Sequence, residues 1–385
     1  MISSNKYRIN FYHDYFNIRG GGEAVSLYIC KKFHNINLYS FCFNHKLYSI
    51  CEFPKGSNFL FSSAVGKNFI RIFGFLYFLI LSLRFRRNCS HINIFSGVIS
   101  VFAAPKSNKK CVNIFYCHTP PRSLFDRYEE SYRTMATPLK FIFYLSSWLF
   151  KKFYRKKLLN MDVIICNSEN TASRLKKYLS LDCLVVYPPL VINKYPVMDC
   201  DCQVGGDYFL SFARLEPLKR VESIIQAFIR LPSEKLVVAS SGSLYDILFE
   251  KYSKFSNIIF TGWVSDRKMA DLVACSRATV YIPVDEDFGM SPIESMAAGK
   301  PVLGVNEGGL RETLLHRQTG FLVESDFNVT DLVNGVKYLS KDTCLNMKTA
   351  CIMHSENFSS YNFDKNFFSI LCSFIPEKDV FKILK

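Results

Sequence analysis

The stretch from Ala278 to Gly304, ATVYIPVDEDFGMSPIESMAAGKPVLG, leaves this 385-residue chain little freedom in what it folds into. Thr279 to Ile282 is a β-branched and aromatic run, read as a short buried strand. An acidic loop and Gly289 follow, then a helix start in which Ser291 serves as N-cap and Pro292 takes the first turn. The helix ends at Gly299, and a second apolar strand begins at Pro301. Strand, loop, helix and strand in this order make a βαβ unit of a parallel sheet, which points to the α/β class. Ligands of open parallel sheets sit at the carboxyl ends of the strands, so this loop is expected to face a crevice.

Glu286 lies on the loop and Glu294 in the first helical turn, with seven residues between them. Both are placed to point into the same crevice. The backbone N–H groups of Gly289, Met290 and Ser291 stand at the positive end of the helix, where an anion or a sugar hydroxyl is held. A purely structural account exists beside this one. Ser291 and Glu294 have the spacing of a capping box, in which Glu294 reaches back to the Ser291 amide.

Taken with AAGKPVLG and EGGLRETL…TGFLVE, the carboxylate spacing resembles the E-x7-E signature of family 4 retaining glycosyltransferases of the GT-B fold. The resemblance implies a donor sugar facing Glu286 and the segment Phe288, Gly289, Met290 and Ser291, with the nucleotide ribose on Glu294. ARLEPLKRVESIIQAF is similar to the family's GRL…EKG motif, which implies that Arg214 and Lys219 hold the donor diphosphate. Read from the residues alone, both cations stand at a helix start and oppose its dipole, a small cost unless an anion is near. Arg220 replaces the small residue usual after the lysine. The turn Gly262 to Val264 matches where the family contacts the nucleobase, which puts Val264 on the donor side.

In the first half, Tyr7 to Tyr12 reads as the opening strand, ending at His13 and Asp14, and Gly20, Gly21 and Gly22 lead into a helix. Tandem glycines there serve a tight turn or let a phosphate approach the backbone. Asn93 to Ile99, Val112 to Tyr116 and Asp162 to Asn167 read as further strands, and Pro138 to Leu159 as a long helix. The Val112 strand runs into YCHTPPRSLFDRY, where His118 is fixed between a strand end and two prolines. The glycine loop resembles the family's HDW…GGAE segment beside the donor diphosphate. The second stretch resembles the HTPPR or HTPMR segment of members acting on sugar-lipid acceptors, mannosyltransferases above all. These likenesses imply donor contacts for Gly21 and Gly22, a catalytic place for His118 with Glu286, Arg214 and Lys219, and acceptor-side places for Arg122 and Asp126.

The net charge of +15 is unevenly spread: residues 1–190 hold 27 Lys+Arg against 9 Asp+Glu, and residues 191–385 hold 21 against 24. A basic half beside a slightly acidic one points to an anionic surface or substrate. No helix-turn-helix, zinc-finger or other nucleic-acid motif accompanies it. Ile72 to Leu83 runs 12 residues without a charge, short of the ~20 that a spanning helix needs. Arg71, Arg84, Arg86 and Arg87 flank it. That pattern suits a helix against lipid headgroups, with Arg84, Arg86 and Arg87 as contacts, and equally a buried helix with a solvated end. The basic end KKFYRKKLL of the long helix is a second candidate for anionic lipid. The 14 cysteines show no paired CxxC spacing and read as reduced thiols used as small hydrophobes, with no zinc site. MISSNKYRINFY reads as the start of a strand rather than as an export signal.

A chain of this length is expected to form two domains. The resemblance makes them two Rossmann-like doubly wound domains of a GT-B fold facing a cleft: 1–192 on the acceptor side, 205–357 for the nucleotide-sugar, and 358–385 a helix crossing back to the first. Asn193 to Gly206 is read as the linker. The reaction implied is transfer of a hexose with retention, mannose from GDP-mannose ahead of a UDP-sugar, to a polyprenyl-diphosphate-linked sugar in O-antigen, capsule or other surface-glycan assembly. No metal or cofactor is expected, since the cations and helix amides would neutralise the leaving diphosphate. Expected partners are the donor, the acceptor and an anionic membrane surface, not nucleic acid, with the protein peripheral on the cytoplasmic face. One rival is a metal-dependent transferase using Asp285-Glu286-Asp287 as a D-x-D site. Another is a non-catalytic membrane- or nucleic-acid-binding protein on the same fold.

Overall fold

The computed structural model describes residues 7–66, 69–85, 91–105, 111–190 and 206–384. The chain divides into two compact units, residues 1–187 with 364–385, and residues 188–363. The expected linker, and with it Cys200 and Cys202, falls almost wholly outside the described residues, as do Arg86, Arg87 and the side chains of Arg71 and Arg84.

In the first unit the strands are β1 (Ile9–His13), β2 (Ile36–Cys42), β3 (Gly56–Phe61), β4 (Ile92–Ser96), β5 (Val112–Cys117), β6 (Val163–Cys166) and β7 (Leu184–Val185). They pair in parallel in the order β3-β2-β1-β4-β5-β6-β7, so the order reverses between β1 and β4. Helices α1 (Gly21–Lys31), α2 (Phe75–Phe85), α3 (Tyr128–Arg133), α4 (Thr137–Leu158) and α5 (Glu169–Leu179) connect them. The central strands are buried along their whole length, as expected of a parallel sheet covered on both faces. Register is pinned by buried polar pairs. Asn37 donates to Asn10 at 3.1 Å and Asn93 to Asn113 at 3.0 Å, each pair in direct register on adjoining strands.

Strand β4 stops at Ser96 rather than running to Ile99. The reason is Asp14, whose carboxylate accepts the N–H groups of Val98, Ile99 and Ser100 and turns the chain into a short 3-10 segment, Ser100–Ala103. Gly97 makes the bend at φ 110, where a Cβ would sit 2.4 Å from the Asp14 carboxyl carbon. The run after Phe69 begins as one wide π-type turn, Ile70–Gly74, before α2. Ile70, Phe78 and Leu81 enter the core, so part of that run is structural.

The second unit repeats the plan with β8 (Phe209–Ser211), β9 (Leu236–Val238), β10 (Ile258–Phe260), β11 (Ala278–Tyr281), β12 (Val302–Val305) and β13 (Gly320–Val323). The parallel order is β10-β9-β8-β11-β12-β13, reversing between β8 and β11. Its helices are α6 (Val221–Ile229), α7 (Tyr245–Tyr252), α8 (Asp266–Cys275), α9 (Met290–Ala297), α10 (Leu310–Thr313), α11 (Val329–Tyr338) and α12 (Lys341–Ser355). Two further helices, α13 (Ser360–Cys372) and α14 (Glu377–Ile383), end the described chain, and residues from Asp364 on belong to the first unit. Tyr28 donates to Asp364 at 3.0 Å and Tyr7 to Asp379 at 3.1 Å, which ties this return to the first sheet's elements. Among the described residues ten cysteines carry free thiols, and Cys275 departs from the expectation in being disulfide-bonded.

Candidate active site

Both units place their candidate residues after the carboxyl ends of strands, with Gly21 and Gly22 after β1 and His118 after β5 in the first, the end at which doubly wound sheets bind ligands. In the second unit, Arg214 and Lys219 follow β8 and Glu286 follows β11. Lys219 donates from Nζ to Glu286 Oε2 at 2.6 Å and to the Tyr281 hydroxyl at 2.8 Å. Tyr281, the last residue of β11, is buried, and its phenol also bonds Glu286. Burial first, and then the Glu286 charge, push that phenol well above its ordinary pKa, so it stays protonated. The lysine at the helix start that the sequence left unmatched therefore meets its countercharge inside the chain. Arg214 is exposed and has no ion-pair partner among the described residues.

The Glu286 loop is fastened from three sides. Val284 N–H bonds Leu218 C=O at 2.8 Å, Asp285 N–H bonds Glu307 Oε1 at 2.9 Å, and Gly309 N–H bonds Glu286 C=O at 2.8 Å. Arg220, the unusual residue after Lys219, stands 3.1 Å from Glu307 and so belongs to this brace. Gly308 and Gly309 lie against the loop backbone so closely that a Cβ on either would come within 2.5 Å of it. Tyr281, Glu307, Gly308 and Gly309 were not picked out as site residues in the sequence. The signal was there in EGG, which is read as family likeness without its packing role.

The helix start departs from expectation. Gly289, at φ 95, is the N-cap of α9, and no side chain caps it. Ser291 lies inside the first turn, its carbonyl accepting from the Ser295 hydroxyl at 3.0 Å, so Ser291 and Glu294 form no capping box. The left-handed glycine lets the helix begin two residues early, and among the described residues no side chain caps that start. Glu294 and Met290 are half-buried there. Phe288 is buried with its ring 5.6 Å from that of Phe358, so only its backbone is available to a ligand. Val264 packs against the second unit's core beside Tyr208 and Leu210.

In the first unit, α1 starts at Gly21 with Gly20 as N-cap. The His118 ring lies over this start: a Cβ on Gly22 would touch it at 3.5 Å. Two serines and a second histidine hold that ring. Ser96 Oγ bonds His118 Nε2 at 2.8 Å and Ser26 Oγ at 2.8 Å, and His13 Nδ1 is 3.1 Å from Ser26 Oγ. Ser26, Ser96 and His13 were missed as site residues, since each reads as a strand or helix residue until topology brings them together. Arg122 and Asp126 pair with each other at 2.8 Å.

Burial holds His118 down to about 4 and, with His118 beside it, His13 down to about 3, so both are neutral near pH 7. Below their ordinary value near 6.5 the unfolded chain takes up protons that the folded chain refuses. Stability is therefore complete above pH 6.5 and falls as pH drops, by about 1.4 kcal/mol per unit for a fully buried histidine. His118 keeps some solvent access and contributes less. Asp14, pushed up to about 6 by burial against its three N–H donors, acts oppositely between its ordinary value and 6. The expected net loss from pH 7 to 4.5 is about 1–3 kcal/mol. Denaturant midpoints across that range should fall less steeply for His13→Gln; parallel slopes would sink the assignment.

Among the described residues no group of three His, Cys, Asp or Glu side chains gathers to hold a metal ion. Among the same residues no helix is long and apolar enough to cross a membrane.

Comparison with known proteins matches residues 203–357 to the family described as glycosyl transferases group 1. Mouse alpha-1,3/1,6-mannosyltransferase ALG2 is 28% identical over 261 residues, 60% of this chain and 60% of that protein. The Saccharomyces cerevisiae ALG2 is 26% identical over 375 residues, 82% of this chain and 72% of that protein. The chain thus spans less than two thirds of the mouse relative. Among solved structures, the lipopolysaccharide outer core galactosyltransferase WaaB in its apo form superposes with a TM-score of 0.68 at 19% identity, covering 96% of this chain and all of that one. Residues 203–357 thus carry a domain of the glycosyl transferases group 1 family, and the two parallel Rossmann-like sheets have the GT-B fold.

Proposed function

We propose that the chain is a retaining hexosyltransferase that moves mannose from GDP-mannose to a lipid-linked sugar acceptor in surface-glycan assembly. The observation that carries this is the Lys219–Glu286–Tyr281 cluster beside the uncapped start of α9. A diphosphate at that start would meet backbone N–H groups, the Lys219 ammonium and the exposed Arg214 guanidinium, which together would take up the charge of the leaving group without a metal. Glu286, held by the ammonium and the phenol, is assigned to the sugar hydroxyls, and Glu294 to the ribose. Gly21, Gly22 and Val264 are further donor contacts by resemblance. His118, neutral and fixed by Ser96, is assigned to the donor sugar and acceptor hydroxyl, with Arg122 and Asp126 on the acceptor side. The choice of mannose rests on the HTPPR segment and on relatives named as mannosyltransferases. An anionic membrane surface on the cytoplasmic side is the proposed place of work, supported by the basic first half.

Purified chain with a polyprenyl-diphosphate-linked sugar and a set of GDP-, UDP- and ADP-sugars tests the reading. Transfer from GDP-mannose, persisting in EDTA and retaining the anomeric configuration, is expected. Turnover with UDP-sugars alone would remove mannose, dependence on added metal would favour the D-x-D rival, and no turnover of any donor would remove the enzyme. A thermal-shift panel gives the base independently, since a ligand at 100 times its Kd adds ~2.7 kcal/mol.

The two carboxylates should separate in the same assays. Glu294→Gln loses no capping box, so its expected effect is nucleotide affinity weakened about tenfold, near the worth of one hydrogen bond to a charged group. Glu286→Gln should leave that affinity nearly intact and lower turnover. Calorimetric titration with the nucleotide decides; equal affinity in Glu294→Gln and the parent would take the ribose from Glu294.

A further inference from the structure

The outward face of α4 is apolar where a soluble helix would be polar. Phe141 is 72% exposed, Ile142 62% and Trp148 51%, with Leu145 and Phe153 also exposed, while Ser147, Tyr154 and Leu158 face the core. The exposed set lies opposite the buried one around the helix, so this is a continuous stripe rather than scattered positions. Helix α2 adds a second stripe, with Leu76, Ile80 and Leu83 exposed at spacings of four and three residues. The two helices are neighbours: both pack on Ser100–Ala103, and Lys157 Nζ reaches the Ser82 hydroxyl at 3.4 Å. Exposed apolar area on this scale marks a binding surface.

Charge says what covers it. Neither α2 nor α4 contains an Asp or Glu, and α4 ends in Lys151, Lys152, Arg155, Lys156 and Lys157. Lys152 and Lys156 are exposed at the end of the apolar stripe, and Lys152 stands 5.2 Å above the Trp148 ring. A second copy would bring the same cations against these, whereas anionic headgroups would neutralise them. Trp and Lys at the margin of an apolar helix face is the arrangement of a helix lying in the headgroup layer.

We propose that the outward face of α4, continued by that of α2, inserts into the interfacial layer of an anionic phospholipid bilayer. The apolar side chains hold the protein there and the lysines select the anionic lipid. This goes beyond the sequence expectation, which placed the contact on the Ile72–Leu83 run with Arg84, Arg86 and Arg87, and second on the basic end KKFYRKKLL, by adding the apolar face of α4. It shares only the membrane with the proposed reaction, and flotation needs no turnover, so the two fail separately.

The test uses the full chain carrying Trp263→Phe, which leaves Trp148 as the remaining tryptophan. With vesicles of phosphatidylglycerol and phosphatidylcholine, Trp148 emission should shift to the blue and the protein should float. A large part of the binding should survive ~1 M salt, where the Debye length is about 3 Å. Phe141→Ser with Ile142→Ser should weaken partition at high salt by at least about tenfold, while donor turnover on a water-soluble acceptor is unchanged. Lys152→Ser with Lys156→Ser should remove the preference for phosphatidylglycerol and leave the high-salt binding. Both pairs are exposed, and circular dichroism checks that the variants fold. Equal flotation of Phe141→Ser/Ile142→Ser and its parent overturns the proposal. So does an unmoved Trp148 signal, or a dimer without vesicles that the same substitutions dissociate.

Discussion

Lys219→Ala is expected to lower turnover of the nucleotide-sugar by about 10²–10³, the range for loss of one preorganised donor to developing charge. Two effects converge on this position. The ammonium stands at the carboxyl end of the sheet from which α9 starts, and it is the group that orients Glu286 at 2.6 Å. Its removal also takes away one of the two donors that hold the Glu286 carboxylate, leaving the protonated Tyr281 phenol alone to fix it. Arg214→Ala separates the two effects, because Arg214 is exposed and orients no carboxylate among the described residues. A comparable loss in Arg214→Ala assigns both residues to the diphosphate. Loss in Lys219→Ala alone makes Lys219 chiefly a positioning residue for Glu286, and near-normal rates in both variants sink the site. Steady-state rates with nucleotide affinities measured alongside read out all three outcomes.

Gly308→Ala should cost about as much without touching any charged group. At φ 58 an alanine is strained, and its Cβ would lie 2.5 Å from the Glu286 carbonyl oxygen and 2.7 Å from the Glu286 nitrogen. Those are backbone atoms, so no side chain can swing aside and the loop itself must shift. Misplacement of a reacting group by ~1 Å costs about 10² in rate. The expected result is turnover lowered about a hundredfold, with a stability loss of about 1–3 kcal/mol. Gly262→Ala is the comparison, since Gly262 also has a positive φ but its Cβ would meet only the Tyr245 side chain, with the hydroxyl oxygen at 3.5 Å. Equal rates in the two variants would mean that strain in the backbone, not the place of Glu286, limits turnover.

Much of the second unit could be read locally. The strand ending at Tyr281, the helix after Gly289 and the strand after Pro301 were each found within a residue or two, because short buried strands and glycine-bounded helices announce themselves by composition. Ser291 was misread because Ser-Pro looks like a cap followed by a first turn, whereas Gly289 takes the cap through a backbone angle that no side-chain pattern encodes. The Arg220–Glu307 contact and the Gly308 approach join segments more than twenty residues apart, beyond the reach of any periodicity. In the first unit His118 stood out through its prolines. Ser96 did not, because the end of β4 is set by Asp14, 82 positions earlier.

By itself, the sequence determined the α/β class through hydrophobic runs and turn residues, and through its family likeness the two Rossmann-like domains and the segments that carry the candidate chemistry. The tertiary structure decided which groups meet: Lys219 with Glu286 and Tyr281, His118 with Ser96, and the apolar faces of α2 and α4 turned outward. The last could not have been read along the chain. An apolar run is the same string of letters whether it faces a core or a solvent, and only the packing of both helices on Ser100–Ala103 chooses the side that remains uncovered.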